Sequence, residues 1–207
     1  MGHGDNRGII IPPKIAPIQI DIIEIQADKN EEVKKISQQI YEELSKTYNV
    51  RVDKSNKGVG FKAAQSEIEG VPIRIEIGPR DLQNNQVLIV RRDTIEKQLV
   101  EIQNIQNVVK DVLTSIHDNL YKQSQLNIQN NTVYTNSYEE LKKLIKEKKF
   151  VVVPIVENLE FEKQIKEETF ATPRCIAWEL PIKLPAKDQC IFSKKETNRF
   201  VLFARAY

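Results

Sequence analysis

Charged side chains between residues 61 and 92 are of the types that contact RNA. Lysine and arginine donate hydrogen bonds to phosphates or guanine edges, and glutamate accepts from base amino and imino groups. Arg74 and Glu76 alternate with isoleucine in "VPIRIEI", so both project from the same face of a strand. The alternative is that these two residues form cross-strand ion pairs, which contribute little at a surface. The candidates are Lys62, Glu67, Arg74, Glu76, Arg80 and Arg92.

Residue types for other chemistry are scarce. The sequence shows no nucleophile–base set and no glycine-rich phosphate loop, and its two histidines are His3 and His117. His117 lies beside the apolar stripe of a predicted helix, where we expect a structural role. An unrelated α/β enzyme acting on a small molecule is therefore the least favoured hypothesis.

Length and composition indicate a globular protein with one or two hydrophobic cores. The chain has 207 residues, of which 40% are hydrophobic, and a formal net charge of +2. No segment approaches the ~20 apolar residues of a membrane helix, and the first residues lack a signal-peptide pattern. Cys175 and Cys190 do not make a disulfide scaffold, so we expect reduced thiols and a cytoplasmic location. The low net charge excludes no RNA partner, because a basic patch can be local.

Strand and helix patterns alternate in the first part of the chain. Apolar residues alternate or run continuously in "IQIDIIEI", "NVRVD", "VPIRIEI" and "QVLIVRRD", which predicts four strands. Apolar residues three and four apart predict helices over 31–46, 61–69 and 103–123. This alternation indicates an α/β domain with a mixed sheet.

A polar segment, "NIQNNTVYTN", is predicted to be a linker to a second, small α+β domain. Ser137 and Glu140 in "SYEE" have the spacing of a capping box at the start of a helix. The run "FVVVPIV" predicts a buried strand, a charged helix is predicted over 158–169, and strands are expected near 174–178 and 200–204.

Four stretches, in this order, resemble the prolyl-tRNA synthetases of the archaeal/eukaryotic-like type. They are "HGDNRGIIIPPKIAPIQI", "EGVPIRIEIGPRDL" with "VLIVRRD", "IKEETFATPRCIAW" and the terminal "RFVLFARAY". The resemblance implies a class IIa anticodon-binding domain, with a mixed sheet flanked by helices, followed by a small C-terminal domain. The implied boundaries are 1–16 for the end of a class II catalytic domain, 17–125 for the anticodon-binding domain, 126–136 for the linker and 137–207 for the C-terminal domain.

The opening "GHGDNRG" resembles the third class II synthetase motif, which helps to bind ATP in the family. The resemblance implies that His3, Asp5 and Arg7 belong to an ATP site. The alternatives are that Arg7 is a surface loop residue and that His3 is a structural hydrogen-bond donor. The first and second motifs are missing from the sequence, so we expect the 207 residues alone to lack aminoacylation activity. We also expect Ile9–Ile11 to be unable to bury themselves without partner strands.

The resemblance extends to partners and to the anticodon-reading residues. The parent enzyme is expected to be a cytoplasmic homodimer that activates proline with ATP and Mg²⁺ and transfers it to tRNA-Pro. Two guanines of the proline anticodon are the expected bases. Lys62 and Glu67 match the family's helix, whereas Ala63 and Ser66 stand where the family has aromatic residues and Phe61 replaces a tryptophan. The sequence therefore predicts that base stacking is weaker or has moved elsewhere.

Many members of the family hold a structural zinc ion in the C-terminal domain with four cysteines. Alignment on "IKEET" and "CIFS" places Val156, Phe161, Cys190 and Ser193 at those positions. A tetrahedral zinc site needs about four soft or imidazole ligands, and three of the four are lost. We therefore expect no zinc, and we expect Val156 and Phe161 to fill the space by packing.

A second hypothesis differs in function class. The chain would be a stand-alone, non-catalytic anticodon-binding module with an accessory role. The intact "GHGDNRG" stretch favours the synthetase, because a separate module has no reason to keep a catalytic motif.

Overall fold

The computed structural model describes residues 3–177, 180 and 182–206, and the chain divides into two compact units, 1–122 and 123–207. The terminal tyrosine, Tyr207, and Trp178 of the predicted strand lie outside the described residues. Among the helices that the structure describes, none has the length and apolar character needed to cross a membrane.

The first unit contains a short hairpin followed by a five-stranded sheet with helices. The hairpin is β1 (Gly4–Asp5) and β2 (Gly8–Ile9), and a 3-10 turn follows at Pro13–Ile15. The sheet and its helices run in the order β3 (Ile20–Glu24), α1 (Glu31–Leu44), β4 (Val50–Asp53), α2 (Val59–Glu69), β5 (Ile73–Ile77), α3 (Pro79–Leu82), β6 (Gln86–Arg91), β7 (Lys97–Glu101), a 3-10 turn at Ile102–Asn104 and α4 (Ile105–Asn131). The predicted α/β class is confirmed, whereas β7 was not predicted.

The sheet is mixed, with the strand order β4-β3-β5-β6-β7. β3 is parallel to both β4 and β5, and β6 pairs antiparallel with β5 and β7. The pairing of Ile20 with Ile73 and of Ile22 with Ile75 aligns the apolar residues of neighbouring strands on one face. α1 and α4 cover that face with the stripes that their spacing predicts, and the buried side chains form the core of the unit.

The opposite face of the sheet carries charged side chains among apolar ones, and α2 lies against it. Because side chains alternate along a strand, Asp21, Arg51 and Arg74 point to this second face, and all three bond to partners on the strands or on α2. Lys62 and Ser66 are the buried residues of α2. The sheet therefore has one hydrophobic face and one mixed face that holds paired charges.

The hairpin docks on the C-terminal end of α2. Gly70 ends α2 in the left-handed conformation, with φ of 73°, and its carbonyl accepts a hydrogen bond from Ile11 N at 3.3 Å. Ile10 packs against the core of the unit, although Ile9 stays partly exposed. The run is thus only partly buried: Ile10 and Ile11 are half-buried, and the packing of Ile10 on the core differs from the expectation that the run finds no contact surface without partner strands.

The second unit is a four-stranded sheet with two helices and a small hairpin. Its elements are β8 (Thr132–Tyr134), α5 (Tyr138–Lys146), β9 (Phe150–Pro154), α6 (Leu159–Thr169), β10 (Ala171–Ile176), β11 (Asp188–Gln189), β12 (Glu196–Thr197) and β13 (Phe200–Arg205). The sheet order is β10-β13-β9-β8, with β8 parallel to β9 and the other pairs antiparallel.

The segment predicted to be a linker has regular structure. α4 continues to Asn131, and Thr132–Tyr134 then pairs with β9, so the division between the two units falls inside α4. The capping box forms only in part: the Ser137 hydroxyl accepts from Glu140 N at 3.4 Å, but the Glu140 carboxylate accepts from the Thr135 hydroxyl. Polar composition alone did not reveal these tertiary partners.

The close approach of the hairpin to α2 predicts that alanine at position 8 is destabilising. Gly8 has φ of 143°, and an added Cβ would lie 2.6 Å from Ile68 Cα. We expect Gly8→Ala to lower the free energy of unfolding by about 2 kcal/mol or more, because strain and a backbone clash add. Urea unfolding measures the change.

Gly60→Ala is the matched control for this prediction. A Cβ at Gly60 meets nothing within 4 Å, and the residue lies in α2. Alanine there should stabilise by about 0.5–1 kcal/mol. If both variants had equal unfolding midpoints, the docking of the hairpin on α2 would be wrong.

Candidate functional site

Lys62 joins α2 to the end of β4. Its ammonium group donates to the Asp53 carbonyl oxygen at 2.8 Å and lies 3.7 Å from the Asp53 carboxylate. The residue is only 6% exposed. This predicted RNA contact is therefore held in place beneath the first turn of α2, at the carboxyl end of a parallel strand.

Arg74 is the centre of a second group of charges on the mixed face. Its Nε donates to Glu76 at 2.8 Å and its Nη1 donates to Glu67 at 3.0 Å and to the Ala63 carbonyl oxygen at 3.4 Å. Arg74 is 7% exposed. The ion pair that the sequence left open does form, but it joins two residues of one strand. Three predicted site residues, Glu67, Arg74 and Glu76, therefore lie together.

The carboxylate of Glu67 is shared by two arginines. Its Oε1 accepts from Arg74, and its Oε2 accepts from Arg7 Nη1 at 3.0 Å. Burial opposes ionisation, but the hydrogen bonds from Arg7 and Arg74 outweigh it and hold the pKa of Glu67 below its ordinary value. Glu67 is thus a stable anion that links the hairpin to the mixed face of the sheet.

Arg92 directly follows β6 and also holds the hairpin. Its two terminal nitrogens donate to both oxygens of Asp5 at 2.8 Å, while further bonds reach the carbonyl oxygens of Gly8 and Glu67. The Arg92 side chain is 1% exposed. Hydrogen bonds from Arg92 and from the backbone of Arg7 and Gly8 hold the pKa of Asp5 far below its usual range. The structure places Arg92 against the hairpin, and its bond to the Glu67 carbonyl oxygen keeps it next to the group around Arg74.

The three residues of the implied ATP site differ in availability. Both Asp5 oxygens are occupied by Arg92. The Arg7 side chain is 56% exposed and is held only at one end, by Glu67. His3 is half-buried, and its carbonyl oxygen accepts from Ile10 N at 3.4 Å. Arg7 is therefore the member of this set best placed to meet a phosphate.

A cleft opens at the carboxyl ends of β3 and β4. Its volume is about 890 Å³, and lysines on both sides face it. Ligands of α/β sheets bind beyond the carboxyl ends of parallel strands. The exposed Arg80 on α3 follows β5, which ends at the same edge of the sheet. The residues lining the cleft include Gln26, Lys34, Lys54, Asn56, Lys57 and Lys62.

Three candidates that the sequence did not indicate lie at or beside the cleft: Lys54, Lys57 and Phe61. Phe61 is 53% exposed on α2, and the Lys57 ammonium lies 4.1 Å from its ring centroid. The available signal was the loop "KSNKGVG", which follows a strand and opens a helix. An exposed aromatic ring beside lysines is a surface on which an unpaired base can stack.

The residues at the implied zinc positions do not fit a metal site. Phe161 stacks on Phe192 with ring centroids 4.8 Å apart, and Val156 packs against the same core as buried Cys190. Within residues 3–177, 180 and 182–206, no three His, Cys, Asp or Glu side chains are placed to hold a metal ion. Of the four positions, Cys190 offers a thiol and Ser193 a hydroxyl group, whereas Val156 and Phe161 carry hydrocarbon side chains that cannot bind a metal ion.

Two family models match the chain. Residues 14–112 match the model "Anticodon binding domain", and residues 138–207 match the model "Prolyl-tRNA synthetase, C-terminal". Among curated relatives, the proline–tRNA ligases of Mycoplasmopsis synoviae, Mycoplasmopsis pulmonis and Mycoplasma mobile are 54%, 51% and 48% identical, in each case over 100% of this chain.

The chain belongs to the prolyl-tRNA synthetase family. It spans 44% of the length of the Mycoplasmopsis synoviae relative and 43% of the other two. Within the prolyl-tRNA synthetases it corresponds to the C-terminal part, with the anticodon-binding domain and the C-terminal domain. The resemblance drawn from the four sequence stretches is thereby confirmed.

The lowered pKa of Asp5 makes the docking of the hairpin sensitive to acid. A carboxyl group with a lowered pKa in the folded state stabilises fully above its ordinary pKa of about 3.9, and this contribution is lost as the pH falls toward the folded-state value. Asp5 is 39% exposed, so solvent screening limits the contribution to about 1 kcal/mol.

We therefore expect Asp5→Asn to be less stable than the wild type at pH 7 and the difference to shrink toward pH 3. Urea unfolding at each pH measures it. Asp28→Asn, a change at an exposed carboxylate on the same unit, serves as control and should show no such trend. A difference between Asp5→Asn and wild type that grew on acidification would contradict the assignment.

Proposed function

We propose that this chain reads the anticodon of tRNA-Pro within a proline–tRNA ligase. The ligase would activate proline with ATP and Mg²⁺ and transfer the prolyl group to the tRNA, acting as a homodimer in the cytoplasm. The observation that carries the proposal is the lysine-lined cleft at the carboxyl ends of β3 and β4, where Lys57 lies beside the exposed ring of Phe61. The membership of the chain in the synthetase family supports it.

In this arrangement, one group of side chains recognises the bases and another group binds the RNA backbone. Unpaired bases are recognised through stacking and through their hydrogen-bonding edges. Phe61 offers the stacking surface once Lys57 moves off its ring, and Lys54 and Lys57 are placed to meet phosphates. Glu67 and Glu76 can accept from the N1–H and amino groups of guanine, and Arg74 can donate to its O6 and N7 atoms. This predicts that specificity comes from the paired charges and affinity from the cleft.

The remaining predicted contacts take more limited roles in this proposal. Lys62 holds α2 on β4 and adds positive charge beneath the cleft. Arg80 meets the RNA backbone from α3. Arg92 and Asp5 fix the hairpin, while His3 and Arg7 remain candidates for ATP in the complete ligase.

The direct test is binding of a stem-loop RNA that carries the proline anticodon. The control is the same RNA with one anticodon guanine replaced by adenine, and both are titrated at two salt concentrations. We expect the replacement to weaken binding at least about fivefold, since one base contact contributes about 1–3 kcal/mol. Discrimination should persist at higher salt, because only phosphate contacts are strongly salt-dependent. Equal, salt-labile binding of both RNAs would refute base reading.

Substitution of the stacking ring gives a second prediction. Phe61→Ala should weaken binding of the stem-loop at least about fivefold, because a stacked base contributes about 1–3 kcal/mol. Phe170→Ala is the matched control, since Phe170 is also exposed and also lies near a cation, Arg205, but on the second unit. Equal affinities for the two variants would exclude Phe61 as the stacking surface.

We propose that the second unit folds without zinc, supported by the stacking of Phe161 on Phe192 at the implied ligand positions. Purified protein should contain no stoichiometric zinc, and a chelator should leave Tm unchanged. A structural zinc site would instead contribute on the order of 10 kcal/mol.

Phe161→Ala should lower the free energy of unfolding by about 2 kcal/mol, because the cavity left by the ring is only partly refilled. Zinc at one ion per chain would overturn the proposal.

A further inference from the structure

Glu67 is the one described carboxylate that bonds both to the hairpin and to the mixed face of the sheet. Arg7, Glu67 and Arg74 form a chain of two ion pairs, each with an N–O distance of 3.0 Å, which we name the Glu67 junction. The two arginines use different oxygens of the carboxylate. A ligand that donates to the oxygen on the Arg7 side of the carboxylate therefore competes with Arg7 for it.

The two arginines are held with unequal strength. Arg74 is buried and also bonds to Glu76 and to a backbone carbonyl oxygen of α2. Arg7 is more than half exposed, and Glu67 is its one ion-pair partner among the described residues. Exposed ion pairs are weak, while breaking a buried pair leaves an uncompensated charge. Competition at Glu67 should therefore displace Arg7 before Arg74.

Removing Arg7 from Glu67 does not require the hairpin to undock. Asp5 and the Gly8 carbonyl oxygen are held by Arg92, and Gly8 lies against the backbone of α2. The backbone of the hairpin thus stays fixed while the Arg7 side chain is free to turn. The guanidinium group of Arg7 can therefore change position while the hairpin that carries it stays docked.

We propose that Glu67 is a positioning residue for Arg7 and that a guanine read at Glu67 releases Arg7 from α2. The inference rests on the proposed function, because it requires an anticodon guanine to donate its N1–H and amino hydrogens to this carboxylate. In the complete ligase, anticodon reading then frees a guanidinium on the hairpin that resembles the ATP-binding motif. Because coupling is reciprocal, anything that removes Arg7 from Glu67 favours binding of guanine.

Nuclear magnetic resonance of the arginine side chains tests the release directly. The Arg7 Nε–Hε signal is assigned by its loss in Arg7→Met. We expect this signal to shift when the proline-anticodon stem-loop binds, and to stay in place when an RNA with adenine for that guanine is added at saturation. Without RNA, Glu67→Gln should move the Arg7 signal toward its RNA-bound position.

Affinity provides an independent measure. Arg7→Met removes the competitor for Glu67, and Lys14→Met removes a similar charge from an exposed position that is outside the junction. We expect Arg7→Met to bind the guanine-bearing stem-loop about two- to fivefold more tightly than Lys14→Met does, the range of an exposed ion pair. Both variants should bind the adenine-bearing RNA equally.

The possible failures are distinguishable. Guanine-dependent binding with an unmoved Arg7 signal would overturn the release and leave the proposed function standing. An Arg7 signal that is identical in wild type and Glu67→Gln would overturn the positioning role without any reference to RNA. If guanine and adenine stem-loops bound equally, the proposed function itself would fail, and the release with it.

Discussion

The contact between α2 and the sheet includes several ion pairs, and buried charges must be paired. An unpaired charge in a protein interior costs several kcal/mol, so a helix that docks through ion pairs has few acceptable positions. Arg51 bridges Asp21 and Glu69 at 2.7 Å each, and Arg74 reaches Glu67 across the same interface. These pairs fix where α2 lies, and α2 in turn fixes the loop before it, the cleft and the hairpin at its end.

This constraint explains why the interface has two classes of cation. The paired residues, such as Arg74, are rigid and nearly buried, so they suit the reading of hydrogen-bonding edges. The lysines of the loop before α2 do not hold the helix on the sheet, so their side chains can reorient toward the phosphates of a bound RNA. Rigid donors favour discrimination because little rotamer freedom is lost on binding. Mobile surface cations favour attraction over distance, which salt reduces.

Much of the fold followed from periodicity in the sequence. Alternation in "VPIRIEI" and the apolar stripes of α1 and α4 indicated the mixed sheet and the covered face, because burial selects for those patterns. β7 lacks such alternation and is held by its pairing with β6. The last turns of α4 are polar, and sequence pattern alone predicted a linker there.

The site was only partly predictable, because its key contacts join distant residues. Single residue types indicated Lys62, Glu67 and Arg74 as RNA contacts, and the structure brings the last two together. The bond between Asp5 and Arg92 spans 87 positions, and no local pattern marks it. The proposed role of Phe61 depends on its exposure, and exposure is a property of the packed helix. The family resemblance indicated what the domain reads, while packing determined which side chains are free to read it.

In the proposed function, RNA meets the first unit at the cleft beside α2. Ultraviolet cross-linking of the proline-anticodon stem-loop to the chain, followed by mass spectrometry of the adducts, locates this contact. We expect adducts on the loop before α2 and on Phe61, and we expect them to disappear when unlabelled stem-loop competes. Adducts confined to the lysines of α5, with none on the segment 54–62, would contradict it.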